Sequence, residues 1–277
     1  MIAFFTIPKA FEGHVGVIQR NAVASWLATA PGATALLFGD EPGIGEAAAA
    51  TGARHVPGIE RNEWGTPLLS DAFAQAEREA DGDVLCFVNA DIVLLDDFAP
   101  AVARVAARSR PFLVVGESWN AAVTEPIELS PGWEARLRRL PARKRGADAI
   151  DYFAFRKGLF AGMPPFAIGR TAFDNWLIWQ ARDRGALVVD ATLAVRTIHQ
   201  DHDYRHRGSL AEIRVSPEAQ RNRELAGGKS RLYSRFDATH LLTARGLVRN
   251  LGAPFRWREK GRRALYKARA TLGRRTP

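Results

Sequence analysis

The 277-residue sequence has one cysteine, Cys86, and two methionines. A single thiol cannot form a disulfide within the chain or supply the thiolate clusters of structural zinc sites, so we expect a reducing, cytoplasmic environment. Long apolar runs are also missing, since none approaches the ~20 residues that cross a bilayer. Lys9 and Glu12 stand where a signal peptide needs an apolar core, so we expect neither a membrane-spanning nor an exported chain.

Acidic residues are scarce at the end of the chain. Residues 243–277 contain eleven Lys and Arg and one acid, Glu259, which gives this segment a net charge of +10. The whole chain carries +9, so residues 1–242 sum to −1. The sequence pI of about 10.3 therefore reflects a basic tail rather than a basic body. We expect no nucleic-acid partner for the body, and binding of DNA or RNA through the tail is the alternative.

Apolar residues in this tail recur at helical spacing. Trp257, Leu265 and Leu272 fall near one face, and basic residues surround them. A basic amphipathic helix with an aromatic anchor is typical of a segment that lies on an anionic membrane. We therefore expect peripheral attachment to the inner face of a membrane, and a solvated, partly disordered tail is the alternative.

Short apolar strands alternate with helical patterns over the first 95 residues. The predicted strands are 2–7, 34–38, 54–56 and 84–95, and helices follow the first three at 15–28, 44–51 and 68–80. Repeated βα units of this kind predict an α/β fold of the Rossmann-like class, with a mostly parallel sheet and helices on both faces.

The second half of the chain is less regular. Residues 97–116 predict one more helix and strand, whereas 117–149 show little periodicity beyond one possible helix near 133–140, so we expect an irregular excursion there. Regular structure is predicted again at 150–155, 171–184 and 187–190, and a polar loop is predicted at 197–206.

The predicted strand 84–95 is apolar except for Asn89 and Asp91. A buried carboxylate without a partner costs several kcal/mol, so we expect Asp91 where the strand leaves the carboxyl edge of the sheet. Oxygen-bearing side chains at positions i and i+2 of a strand point the same way and can hold a hard divalent cation that also binds phosphate. The alternative is that both side chains cap the following turn.

These features resemble the nucleotide-diphospho-sugar transferases of the GT-A fold, in particular family 2 glycosyltransferases. The resemblance lies in the strand end Thr6-Ile7-Pro8, in Asp40, in Leu69-Ser70-Asp71 and in Asn89-Ala90-Asp91, which stands at the family's Asp-x-Asp motif. It implies that Thr6, Asp40, Asp71 and Asn89 face the nucleotide. It also implies that Asp91, with Asn89, binds Mn²⁺ or Mg²⁺. Asn89 departs from the family, which has Asp at this position.

Acceptor-side candidates come from the second half. Gly169 leads into a predicted helix with Asp174 near its start, which resembles the general base of inverting transferases. Its aromatic neighbours favour a carboxyl that accepts protons, and Trp176 suits the apolar face of a sugar. Asp151, before an aromatic strand, is a further acceptor-binding candidate. The alternatives are a helix-dipole role for Asp174, a core position for Trp176 and a capping or salt-bridging role for Asp151.

Histidines follow the late predicted strand, at positions 199, 202 and 206. The resemblance implies that one of them completes the metal shell, and we favour His202, with His199 as the alternative. A zinc site on a helical face and a purely structural loop are the other interpretations.

The sequence thus predicts a GT-A domain over residues 1–242, with a nucleotide-sugar half at 1–116 and an acceptor half at 150–210, and a basic amphipathic tail at 243–277. The resemblance implies a metal-dependent, inverting glycosyltransferase of polysaccharide or glycolipid assembly. Its donor is a UDP- or GDP-sugar, and its acceptor is a saccharide or is lipid-linked. A non-catalytic nucleotide-sugar-binding relative is the rival function, because Asn89 replaces the first Asp.

Overall fold

A computed structural model describes residues 1–108, 110–146, 149–201 and 215–252. Its helices are α1 (Gly13–Thr29), α2 (Ile44–Thr51), α3 (Leu69–Glu79), α4 (Phe98–Ala106), α5 (Trp133–Arg138), α6 (Phe173–Asp183) and α7 (Pro217–Leu225). Its strands are β1 (Ile2–Thr6), β2 (Thr34–Phe38), β3 (Arg54–Val56), β4 (Val84–Val88), β5 (Ile92–Val93), β6 (Phe112–Val115), β7 (Ser118–Ala121), β8 (Ala142–Lys144), β9 (Tyr152–Arg156), β10 (Leu187–Asp190), β11 (Thr197–Gln200), β12 (His240–Thr243) and β13 (Gly246–Arg249).

The large sheet has the strand order β13-β12-β10-β6-β9-β4-β1-β2-β3. Its strands are parallel except β9, which runs antiparallel to β4 and β6, and β13, which runs antiparallel to β12. Apolar faces of α3 and α6 cover one side of the sheet, and those of α1, α2 and α4 cover the other. The predicted α/β class, with a mostly parallel sheet between helices, is confirmed.

The predicted strand 84–95 is interrupted in the structure. β4 ends at Val88, residues 89–91 turn, and Ile92 N donates to Asn89 O at 3.1 Å. The chain then enters β5, which belongs to a second sheet of order β5-β11-β7-β8. The prediction of one continuous strand was wrong because the polar side chains of Asn89 and Asp91 cannot lie between two apolar helix layers without partners.

The second sheet also corrects two predicted irregular regions. Residues 117–149 contain β7, α5 and β8, and the predicted polar loop 197–206 begins with the buried strand β11. β11 lies between β5 and β7, antiparallel to the first and parallel to the second. These strands are only two to four residues long and pair with distant parts of the chain, so they produce no local periodicity.

A β-hairpin of β12 and β13 extends the large sheet at one edge. The predicted boundary between residues 242 and 243 lies inside this hairpin, so the sheet continues to Arg249. The predicted amphipathic helix, with Trp257, lies outside the described residues. In the part of the chain that is described, no helix is both long enough and apolar enough to cross a bilayer.

Arg235 joins two buried carboxylates near the end of the described chain. Its Nη1 lies 2.9 Å from Asp190 Oδ2, at the end of β10, and its Nη2 lies 3.0 Å from Glu117 Oε2. Glu117 also accepts a hydrogen bond from Gly146 N at 2.8 Å. This network ties the segment after α7 to both sheets.

Replacement of Arg235 by Ala should lower the free energy of unfolding by about 3 kcal/mol, because it leaves two buried carboxylates without their guanidinium. Denaturant unfolding followed by circular dichroism measures the change. Arg245→Ala, at the exposed hairpin turn, is the matched control and should stay within about 0.5 kcal/mol of wild type. Equal stability of the two variants would show that this network does not stabilise the fold.

Candidate active site at the carboxyl edge of the sheet

Asp91 and His199 come together at the turn after β4. Asp91 Oδ2 lies 3.3 Å from His199 Nε2, and the His199 side chain is only 3% exposed. The backbone sets their positions, because His199 pairs with Ile92 across β5 and β11, and Gln200 N donates to Asp91 O at 3.1 Å. Two residues far apart in sequence are thus held beside each other by the small sheet.

Helix α1 forms hydrogen bonds with the residues around this turn. The buried Gln200 side chain donates through Nε2 to Ile18 O at 2.7 Å and to Asp91 O at 3.2 Å. Asn21 Nδ2 donates to Gln200 Oε1 at 3.0 Å, and Trp26 Nε1 donates to Ile92 O at 2.7 Å. Hydrogen bonds between α1, Gln200 and the turn therefore fix the candidate site.

The Asp91–His199 pair fits a divalent metal ion. Adjacent ligand atoms of an octahedral Mg²⁺ or Mn²⁺ ion lie about 3 Å apart, close to the 3.3 Å between Asp91 Oδ2 and His199 Nε2. Within the described residues no group of three or more His, Cys, Asp and Glu side chains gathers. Among the described residues, these two side chains thus present two candidate ligand atoms at a separation that suits such an ion, which would take further oxygen ligands from bound groups or water.

Asn89 and Asp151 face each other across the ends of β4 and β9. Asn89 N donates to Asp151 O at 2.9 Å, and Asn89 Nδ2 donates to Asp151 Oδ1 at 3.2 Å. On its other side, Asp151 Oδ2 lies 3.8 Å from Arg145 Nε, in the loop after β8. The residue predicted to bind the acceptor is therefore 5% exposed and directly bound to the residue predicted to face the nucleotide.

Asp174 lies in the first turn of α6, as predicted, and its Oδ1 accepts from Asn175 N at 2.9 Å. Phe173 places this turn near the end of β4, because its ring centroid is 6.3 Å from that of Phe87. The residue before α6, Ala172, has φ of 92°, in the left-handed region that non-glycine residues seldom adopt. Such local strain is often found at functional sites.

The predicted nucleotide-side residues lie on neighbouring elements. Thr6 ends β1 and is buried, whereas Asp40 follows β2 and pairs with Arg61 Nη2 at 2.8 Å. Hydrogen bonds to Glu41 and then to Asp40 outweigh burial and raise the pKa of the Arg61 guanidinium. Asp71, in the first turn of α3, accepts from Glu60 N at 2.9 Å and from Gln75 Nε2 at 2.7 Å, so it holds the preceding loop.

One predicted site residue differs from expectation, and the position of another is not described. Trp176 is 5% exposed and packs against Phe166 and Trp179, with ring centroids 5.2 and 6.2 Å away. The structure thus places it in the core, where its ring cannot stack on a sugar, because the apolar face of α6 is directed at the sheet. His202, the favoured third ligand, lies outside the described residues, whereas the alternative, His199, contacts Asp91.

Several residues of this edge were missed by sequence reasoning. Gln200 directly follows His199, so a glutamine beside a candidate ligand was an available signal. Arg61 and Arg145 had no local signal, because their acidic partners lie in the loop after β2 and just before β9. The site therefore depends on pairings that no single motif contains.

A cavity of about 540 Å³ lies beside α5 and is lined in part by Val123, Trp133 and Leu137. Trp133 and Leu137 pack in one cluster with Ile198. Successive residues of a strand point to opposite faces, so this cavity lies on the side of the small sheet away from His199. It is separate from the Asp91–His199 pair.

Comparison with solved structures shows which fold this arrangement belongs to. GalNAc-T7 with UDP, GalNAc and Mn²⁺ aligns with a TM-score of 0.52 at 18% identity, over 82% of this chain and 48% of its own. A mycobacterial protein aligns with a TM-score of 0.50 at 16% identity, over 83% and 76% of the two chains. Glucosyl-3-phosphoglycerate synthase from Mycobacterium tuberculosis with Mg²⁺ and UDP aligns with a TM-score of 0.48 at 16% identity, over 83% and 80%.

No protein-family model matches the sequence, and no curated protein does. The structural likeness nevertheless shows that the chain has the GT-A fold of nucleotide-sugar transferases. The fold implied by the motifs is therefore confirmed.

Glu218 of α7 connects the loops on either side of this edge. It accepts from Asn62 Nδ2 at 3.0 Å, in the loop before α3, and from Arg170 Nε at 2.8 Å, in the loop before α6. Burial alone would raise the pKa of Glu218, but hydrogen bonds from Thr66, Asn62 and Arg170 outweigh it and lower the pKa. The Glu218 carboxylate therefore links the loop before α3, on the predicted nucleotide side, to the loop that leads into the first turn of α6, where Asp174 lies.

Glu218→Gln should lower the free energy of unfolding by about 1–3 kcal/mol at pH 7, because charge-assisted hydrogen bonds are lost. Since the pKa of Glu218 is lowered by folding, its stabilisation is present above the unfolded pKa of about 4.3 and is lost as pH falls through the folded pKa. Urea unfolding at pH 7 and at pH 3 should therefore show the two proteins converging in acid. Glu224→Gln, more exposed on the same helix, is the control, and a pH-independent difference for Glu218→Gln would contradict this pKa shift.

Proposed function

We propose that this protein is a metal-dependent glycosyltransferase that moves a sugar from a UDP- or GDP-sugar to an acceptor hydroxyl. The observation that supports this function best is the Asp91–His199 pair, which lies just beyond the carboxyl end of β4 in a GT-A fold. GalNAc-T7, which shares the fold, was crystallised with UDP, GalNAc and Mn²⁺, and this agrees with a donor of that class.

Asp91 and His199 would hold the divalent ion through one carboxylate oxygen and one imidazole nitrogen. When bound, Mn²⁺ or Mg²⁺ neutralises the charge that develops on the leaving diphosphate. The protein keeps both ligands in place through the β5–β11 pairing and through Gln200. A preorganised pair needs no rearrangement as the charge develops, which is the main source of electrostatic catalysis.

Asp174 would act as the general base for the acceptor hydroxyl. The resemblance to inverting transferases and its position at the start of α6, near the end of β4, support this role. Removal of the hydroxyl proton by Asp174 would prepare the acceptor oxygen for attack on the anomeric carbon from the side opposite the diphosphate, and in-line displacement inverts that carbon. Asp40 and Asp71 would lie on the nucleotide side.

The basic tail suggests where the acceptor is found. The basic residues of 253–277, beyond the β12–β13 hairpin, would hold the protein on the anionic inner face of a membrane, so a lipid-linked saccharide is the acceptor that we propose. The reaction that we propose would then belong to polysaccharide or glycolipid assembly on the cytoplasmic side of that membrane.

Asp91→Ala and Asp174→Asn should each reduce turnover of the donor at least ~100-fold, the first by removing a metal ligand and the second by removing the base. Release of UDP or GDP from a panel of sugar nucleotides with Mn²⁺ measures both. Asp83→Ala, an exposed acid at the opposite end of β4, is the matched control and should be as active as wild type. Near-normal activity in either variant would remove that residue from its role.

Calorimetry separates this function from a non-catalytic relative. A catalyst should bind UDP or GDP in the presence of Mn²⁺ and also turn over donor, whereas binding without turnover over a broad acceptor panel favours the rival.

Deletion of residues 253–277 should abolish retention on anionic vesicles while leaving the β12–β13 hairpin in place. Flotation with phosphatidylserine-containing vesicles measures the effect, because basic residues near such a surface contribute about 1 kcal/mol each. Neutral phosphatidylcholine vesicles are the control. A full-length chain that anionic vesicles never retain would contradict membrane attachment, and binding of RNA lost with the same deletion would favour the nucleic-acid alternative.

A further inference from the structure

The departure of Asn89 from the Asp-x-Asp pattern has a structural explanation in Asp151. The β4–β9 ladder ends with the pair Val88 and Tyr152, so Asn89 and Asp151 face each other immediately beyond it. Backbone and side chain of Asn89 both donate to Asp151, at 2.9 Å to its carbonyl oxygen and at 3.2 Å to Oδ1. The neighbour of the residue at position 89 is therefore a buried carboxylate.

An amide suits this position and a carboxylate does not. With Asp at position 89, a second carboxylate would face the buried Asp151 carboxylate at hydrogen-bond distance, and like charges repel more strongly where burial lowers the local dielectric. Among the described residues, the cation next to Asp151 is Arg145, whose Nε lies 3.8 Å from Asp151 Oδ2, beyond hydrogen-bond distance. Asn89 instead supplies an N–H group that Asp151 can accept.

One oxygen of Asp151 is not hydrogen-bonded by the described residues. Its Oδ2 is buried and has no hydrogen-bond partner among the described residues. Arg145 Nη1, in the adjacent loop, is likewise buried without a hydrogen bond in the described part of the chain. Buried polar atoms are nearly always paired, so these two atoms point to a group that binds between them.

We propose that Asn89 and Asp151 act as a matched amide–carboxylate pair, in which Asp151 supplies from β9 the carboxylate that Asp-x-Asp proteins have at the first motif position. This inference rests on the proposed function, because the group that would bind Asp151 Oδ2 is a hydroxyl of the nucleotide-sugar donor or a water molecule on the metal ion that accompanies it. Asn89 is then the residue that positions Asp151, and its neutrality is not a sign of lost chemistry.

Exchange of the two side chains tests the pair. Asn89→Asp should lower the melting temperature of the metal-free protein, measured in EDTA at neutral pH, by about 2–8 °C, as expected for a loss of 1–2 kcal/mol in a chain of this size. The double variant Asn89→Asp/Asp151→Asn restores one amide and one carboxylate, so its melting temperature should return to that of wild type. It has the same composition and net charge as wild type, which makes it the matched control.

Binding of UDP in the presence of Mn²⁺, measured by calorimetry, tests the role in the donor site. Asp151→Asn alone should weaken this binding about 10- to 100-fold, as loss of a supporting carboxylate does in metal sites, and the double variant should recover it. A wild-type melting temperature for Asn89→Asp, or unchanged UDP affinity for Asp151→Asn, would overturn the proposal.

If the protein is not a transferase, these experiments give a different set of results. Wild-type protein that binds neither Mn²⁺ nor UDP would remove the donor-site role of Asp151 together with the transferase. The melting temperatures in EDTA would still decide whether the two side chains form a matched pair, because that measurement involves no ligand.

Discussion

The structure depends on the fact that β4, buried between two layers of helices, cannot contain a charge. All five of its residues are buried, and the chain turns as soon as polar side chains begin at Asn89. This constraint moves Asn89 and Asp91 to the carboxyl edge of the sheet, where open α/β sheets bind their ligands. The same strand that forms the core therefore determines where the polar groups of the candidate site must lie.

The partners of these groups arrive through the strand order rather than along the chain. β9 runs antiparallel to β4, so the N-terminal end of β9 lies at the carboxyl edge of the sheet and brings Asp151 to Asn89. β11 joins β5 in the small sheet and brings His199 to Asp91. In each case a backbone hydrogen bond lies next to the side-chain contact, so the sheets themselves set the separation of the functional groups.

Ion pairs then connect the edge to the C-terminal part of the fold. Glu218 holds the loops before α3 and α6, and Arg235 holds Glu117 and Asp190. These carboxylates are buried, and each has several donors, which is the condition under which buried charges are tolerated. Loops that surround the candidate site are thus fixed by electrostatic contacts with the last part of the described chain.

The sequence by itself determined the βα order, the mostly parallel sheet, and the places of Asp91 and Asp174 at the ends of elements. The reason is that the periodicity of apolar residues and the free-energy cost of burying a charge can both be read from short segments of the chain. It also indicated His199 as a possible ligand. Only the tertiary structure decided that β4 stops at Val88, that residues 197–200 form a strand, that Trp176 is a core residue, and that Asn89 faces Asp151. Those outcomes depend on pairing between distant segments, for which short strands and single polar residues leave no periodic signal in the sequence.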